Sequence, residues 1–146
     1  ACIDRRDAMG YTPLMVACKY GWAEVVSLLL ARGADTGLRN CCYLQETVLM
    51  HACCCTSPPT SPGSDHVAVV RLLLKHGAAA AINERDRLGQ TALLKACLVG
   101  SMGVARVLLV EGGADPWLPD RRGSTPMHAA LTEGRTKCVE LLQVRG

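Results

Sequence analysis

The segment GYTPLMVACKYGWAEVVSLLLARGAD, residues 10–35, is the most informative in the chain because it comes back. Residues 89–115 read GQTALLKACLVGSMGVARVLLVEGGAD and residues 123–146 read GSTPMHAALTEGRTKCVELLQVRG, in the same order of turn, small and apolar residues. A further copy is split, as ETVLMHACC at 46–54 and DHVAVVRLLLKHGAA at 65–79. Thr12, Thr47, Thr91 and Thr125 mark the register. From that threonine to the closing glycine the span is equal in three copies, which end at Gly33, Gly112 and Gly146. In the second copy, which ends at Gly77, it is 9 residues longer. Self-similarity with a period of about 33–34 residues is the mark of a solenoid and outranks any single motif.

Each unit makes physical sense. Asp-x-x-Gly at 7–10, 86–89 and 120–123 is turn chemistry, in which Asp accepts backbone donors and Gly takes a positive φ. The threonine hydroxyl caps a helix whose first turn tolerates Pro. Small Ala and Cys residues follow, so that neighbouring helices can approach closely. Gly21, Gly100 or Gly134 ends that helix, and a second begins with apolar residues at helical spacing: Val25, Val26, Leu28 and Leu29 in the first unit. No unit buries its apolar stripe alone, but stacked units share one core.

Composition agrees. The chain has 146 residues, 49% of them hydrophobic, with no Phe, two Trp and three Tyr, which suits many thin packing layers. A net charge of +3 is too mild for a nucleic-acid partner. The apolar runs fall short of the ~18–20 residues of a membrane span. The start has neither Met nor a signal-peptide h-region, and the chain reads as an excised piece of a larger protein. Nine cysteines, an odd number with several adjacent, suggest a reduced, intracellular protein rather than a disulfide scaffold.

The units resemble the ankyrin-repeat family, whose T-P-L-H-x-A pattern stands here as Thr12-Pro13-Leu14-Met15-Val16-Ala17 and Thr125-Pro126-Met127-His128-Ala129-Ala130. Degenerate forms start at Thr47 and Thr91. The resemblance implies an all-α solenoid of helix-turn-helix units with projecting β-hairpin loops. It forms one domain over 1–146, with repeats near 7–40, 41–85, 86–119 and 120–146. Only the last unit keeps the motif histidine, so a Thr–His network is expected to be weaker elsewhere. Two inter-repeat segments, Gly33 to Thr47 and Gly77 to Thr91, are longer than the third.

The cysteine-rich stretch at 41–55 takes its meaning from this register. Cys53 aligns with Cys18 and Cys97 at a small packing position, and Cys138 aligns with Val25 and Val104; all are expected in the core. His51 is expected to be partly buried and hydrogen-bonded. Cys41, Cys42, Cys54 and Cys55 leave open a zinc or thiol redox site, but no C-x-x-C pair exists and no cation adjoins them in sequence. The insertion, about 56–64, carries three Pro and a Gly and is expected to be a loop. Ser57-Pro58 and Ser61-Pro62 in it are minimal proline-directed phosphorylation sites.

The resemblance implies docking on the concave face, formed by the hairpin tips and the ends of the first helices. Position by position this names Met9, Tyr11, Tyr20, Tyr43, Leu44, Glu46, Arg87, Leu88, Gln90, Arg121 and Arg122, with Trp117 on the last hairpin as either an anchor or a cover. Tyr and Arg commonly anchor interfaces. Arg85, Arg87, Arg121 and Arg122 suit an acidic or phosphorylated segment, or are a solvated face beside Glu84, Asp86 and Asp120. No phosphate loop, nucleophile elbow or His-Glu-x-x-His is present, so no catalysis, cofactor or metal is expected. The expected function is a monomeric protein-interaction module, adaptor or scaffold, holding a partner protein or short peptide with no nucleic acid and no membrane. A cysteine-based metal or redox sensor at 41–55 and a purely structural spacer are the competing readings.

Overall fold

A computed structural model describes residues 3–41, 43–53 and 65–145. Among them lie eight α-helices in four antiparallel pairs: α1 (Pro13–Tyr20) with α2 (Ala23–Ala31), α3 (Val48–Cys53) with α4 (His66–Lys75), α5 (Ala92–Val99) with α6 (Met102–Val110), and α7 (Pro126–Thr132) with α8 (Thr136–Arg145). First helices pack in the order α1, α3, α5, α7 and second helices in the order α2, α4, α6, α8, giving two stacked layers. No helix among the described residues is long and apolar enough to cross a membrane.

The register threonines start the first helices as expected. Thr12, Thr47, Thr91 and Thr125 Oγ1 accept from the N–H of Met15, Met50, Leu94 and His128 at 3.2–3.4 Å. Only at Thr125 does a histidine complete the reciprocal bond, His128 Nδ1 accepting from Thr125 N–H at 3.4 Å. In the second unit a methionine stands in: Met50 Sδ accepts from Thr47 N–H at 3.4 Å. Between the layers sits one continuous core of Ala, Cys, Leu, Val and Met, including Cys18, Cys53, Cys97 and Cys138. Val25 departs from the expectation drawn for its column. It is exposed, together with Leu28, because α2 ends the row of second helices and packs there on α4 alone among the described residues.

The inter-repeat segments project as turns, with one isolated antiparallel bridge at Arg39 and Thr47 among the described residues. Asp7, Asp86 and Asp120 each use Oδ1 to accept two backbone N–H groups at 2.8–2.9 Å, closing three of the turns. The two long segments lengthen in different places. In the first the tip itself grows, and Asn40 replaces the aspartate, its Oδ1 accepting from Glu46 N–H at 3.0 Å. In the second, the chain before the tip winds into a 3₁₀ turn, Ala78–Ala81.

The long tip also lacks the hairpin glycine. Gly10, Gly89 and Gly123 take φ of 79–83°, and Gln45 holds the matching place at φ 50°, the sole non-glycine residue of positive φ among those described. A Cβ on Gly89 would stand 2.8 Å from Arg121 N, so stacking as well as φ demands glycine there. Gln45 therefore carries backbone strain. Gln45→Gly is expected to raise stability by about 0.5–1 kcal/mol, the αL penalty less the entropy of glycine. Urea unfolding should show a higher midpoint at unchanged m-value.

Candidate docking surface

The hairpins hold together by two ladders that run from repeat to repeat. The first is main chain: Arg87 N–H donates to Leu44 C=O at 2.9 Å and Arg121 N–H to Leu88 C=O at 3.0 Å. The second is made by arginines at one register position. Arg6 Nη1 donates to the Arg39 carbonyl at 2.7 Å, Arg39 Nη1 to the Arg85 carbonyl at 3.0 Å, and Arg85 Nη2 to the Pro119 carbonyl. Pro119 occupies the fourth such position, so the ladder ends on a residue without a guanidinium. Arg39 is also paired with Glu84 at 2.6 Å. Arg85 is thus a structural rung rather than part of a solvated face.

Under the hairpins, the fourth residue after each register threonine faces the groove floor. There the second unit carries His51 and the third carries Lys95, both buried. Lys95 Nζ lies 2.9 Å from Asp86 Oδ2, 3.0 Å from Glu46 Oε1 and 3.3 Å from Gln90 Oε1, joining two hairpins to α5. His51 packs its ring 5.2 Å from that of Tyr11. Its Nε2 faces Asn40 Nδ2 at 3.2 Å. Because Asn40 Oδ1 is held by Glu46 N–H, the Asn40 amide N–H donates to Nε2, which places the ring proton on Nδ1. Burial holds the His51 pKa below the ordinary 6.5; Lys95 and Lys19 act in the same direction and Glu46 opposes them.

The expected docking residues divide accordingly. Met9, Tyr20, Tyr43, Arg87, Leu88, Trp117, Arg121 and Arg122 are exposed. Tyr43 is 74% exposed, with Arg87 Cζ 5.8 Å from its ring centroid. Tyr20 stacks on Trp22 at 5.1 Å, with Lys19 Nζ 5.8 Å from the Tyr20 ring. Glu46, Gln90 and Tyr11 are half-buried in the floor, and the Leu44 side chain is half-buried too. A shallow cleft of about 460 Å³ opens beside Arg5, Arg6, Tyr11 and Val16. A wider one, about 540 Å³, lies on the second helices α4, α6 and α8, where cations and anions alternate round Met102, Val107 and Leu141.

Ser57, Ser61, Cys42, Cys54 and Cys55 lie outside the described residues, as does the insertion itself. Of the described cysteines all are free thiols and four are buried. Burial pushes the Cys18 and Cys97 thiols up to about 12, in Cys97 with the Cys138 thiol adding to the effect. Cys41 is exposed, and Arg6 Nη1 donates to its Sγ at 3.0 Å, a cation the sequence left 35 residues away. Sequence reasoning missed the Lys95 cluster, the arginine ladder and Trp22. The available signal was columnar: His51 with Lys95, and Arg6 with Arg85, share register positions.

Removing Lys95 would strand two carboxylates in the floor. Lys95→Ala is expected to cost about 3–5 kcal/mol in chemical unfolding, the usual penalty for breaking a buried pair. For His51 the folded pKa lies below the unfolded one. Its contribution is therefore complete above about pH 6.5 and declines as pH falls towards the folded pKa, by at most about 1.4 kcal/mol per pH unit. Unfolding midpoints at pH 7.5, 6 and 5 would show this slope as an excess over His51→Gln.

The family model described as ankyrin repeats (3 copies) matches residues 2–81, 45–120 and 61–145. The chain is 35% identical over 142 residues to the ankyrin repeat and KH domain-containing protein mask-1 of Caenorhabditis elegans, covering 97% of this chain and 5% of that one. It is 40% identical over 120 residues to mouse ankyrin repeat and SOCS box protein 16, covering 82% of this chain and 25% of that one. It is 29% identical over 136 residues to human transient receptor potential cation channel subfamily A member 1, covering 93% and 11%. The chain thus spans a quarter or less of the length of these relatives. With paired helices, threonine caps and hairpin turns repeating in register, and a family model matching nearly its whole length, the chain belongs to the ankyrin-repeat family.

Proposed function

We propose that this chain is a recognition module that holds an extended segment of a partner protein along its hairpin tips and first-helix ends, as part of a larger intracellular adaptor or scaffold. The observation that carries this reading is the row of exposed apolar side chains on successive tips: Met9, Tyr43 and Leu88. Stacking does not require them to be apolar, and hydrogen-bonded ladders hold the second and third tips. A pre-ordered backbone carrying Tyr and Arg side chains loses little entropy on binding. Arg87, Arg121 and Arg122 make no ion pair among the described residues, and suit carboxylates or phosphates on the segment. Free thiols agree with a reducing compartment. The names of the relatives join such repeats to a KH domain or a SOCS box, in keeping with recognition inside a larger chain. The role is binding rather than catalysis, by a single copy, and phosphorylation of Ser57 or Ser61 would regulate it.

A second reading, thiol chemistry at 41–55, has one observation in its favour: the Arg6 guanidinium on Cys41. An oxidant-dependent mass change confined to those residues would support it.

The test is a proteome-derived peptide display in reducing buffer, with Tyr43→Glu/Leu88→Glu as control after circular dichroism confirms its fold. Peptides sharing an acidic motif are expected to bind the native chain and to weaken at least tenfold on the control, about 1.4 kcal/mol. Binding indifferent to the double substitution would remove the hairpin surface from the account.

A further inference from the structure

The layer of second helices carries an apolar strip that stacking does not explain. Two residues before the closing glycine the third repeat has Val110 and the fourth Val144, which are 50% and 83% exposed. The first two repeats have Ala31 and Lys75 in the same place. All four are exposed, so packing between repeats does not call for valine there. Both valines line the cleft of about 540 Å³ between α6 and α8, with Val107 and Leu141 beside them. On α6 the lining residues Met102, Arg106 and Val110 recur every fourth position; on α8 Lys137, Leu141 and Val144 follow at spacings of four and three. Each set is one stripe of its helix. Two helices packed side by side with such stripes form a groove of the shape that seats the side-chain ridge of a third helix.

The charge of this groove is lopsided. A smaller cleft of about 160 Å³ adjoins it at Arg71 and Glu111, and along the two stand Arg71, Lys75, Arg106 and Lys137 against Glu111 and Glu140. Arg71 is held by Glu111 at 3.1 Å. Arg106 and Lys137 are exposed and make no ion pair among the described residues. Lys137 also stands in the first turn of α8, which holds no acidic residue and where the helix dipole disfavours a cation. A carboxylate supplied from outside would relieve that placement.

We infer that the groove between α6 and α8 docks an acidic amphipathic helix of a partner protein, independently of the hairpin surface. The apolar ridge of that helix covers Met102, Leu141 and the two valines, and its flanking carboxylates meet Arg106 and Lys137. From Met102 to Val110 the wall is about 12 Å long at ~1.5 Å per residue, so about three turns of helix fill it. A second copy of this face is a poor occupant, because it would bring the same excess of cations against itself.

The test uses fluorescein-labelled helical peptides of about 18 residues with leucine at i, i+3, i+4 and i+7. One carries Glu at the flanking positions, one carries Lys there, and a third is the Glu peptide with a central Pro. Fluorescence anisotropy is expected to show the Glu peptide binding the native chain about tenfold or more tighter than either of the others. Val110→Ser/Val144→Ser should weaken it to a similar degree, and Tyr43→Glu/Leu88→Glu should leave it unchanged. Arg106→Glu/Lys137→Glu should reverse the preference towards the Lys peptide, which a merely misfolded variant would not do. Absence of binding, equal binding of the Glu and Lys peptides, or loss on the hairpin variant instead of the groove variants overturns the inference. So does self-assembly in sedimentation that Val110→Ser/Val144→Ser abolishes, which would assign the face to a second copy.

Discussion

How closely the first helices stack governs every other distance in this molecule, and the Ala-Cys pair in three of the repeats sets that approach. Ala17-Cys18, Ala52-Cys53 and Ala96-Cys97 are all buried between consecutive first helices, where a larger side chain would wedge the layers apart. Leu131 takes the cysteine place in the last repeat, where no further layer covers it, and is 58% exposed. The thiols act as small hydrophobes: burial raises the pKa values of Cys18 and Cys97 so far that both stay protonated and poorly nucleophilic at neutral pH. Only at this pitch do the hairpins come within hydrogen-bonding distance, so the main-chain bonds and the arginine rungs follow from the helices below them.

The groove floor shows why a solenoid with few aromatics tolerates charge inside. Lys95 enters from α5, Glu46 from the second hairpin and Asp86 from the third, so a single ammonium ties two projecting tips to a rigid element. Desolvation works against such a cluster, and its net contribution to stability over an apolar substitute is small. Its structural consequence is positional: the tips bearing Tyr43, Leu44, Arg87 and Leu88 are anchored from below as well as side by side. His51 and Asn40 serve the long second tip in the same way with neutral groups.

The fold was legible because repetition multiplies weak signals. One Thr-Pro-Leu is a poor predictor of a cap, but four threonines in register, three of them followed by a small Ala-Cys pair and each unit closed by a glycine, leave few alternatives, and all four cap. The surface was less legible. Exposed Tyr43, Met9 and Leu88 could be named from register alone, whereas Leu44, beside Tyr43, is half-buried. Glu46 and Gln90 could not be placed, because their burial depends on Lys95 of the next helix, 49 and 5 residues away. Val25 misled for a related reason: a column predicts burial only where a layer lies on both sides.

These cases share a logic that separates scaffold from recognition in this chain. A chemical function that recurs down a column, even in different residues, reflects a contact every repeat must make. Arg6, Arg39 and Arg85 are such a column, closed by Pro119, and at another register position His66 and Arg135 both meet a carbonyl near the end of the preceding first helix, where the third repeat has Ser101. A column whose residues change character, such as Met9, Leu44, Leu88 and Arg122 at the tips, answers to something that differs along the stack. The hydrogen bonds that join these tips are main chain, Arg87 N–H to Leu44 C=O and Arg121 N–H to Leu88 C=O, and do not depend on which side chain stands there. On the proposed function, the changing column would face a ligand that is itself irregular along its length, as an extended peptide is and a symmetric copy of the chain is not.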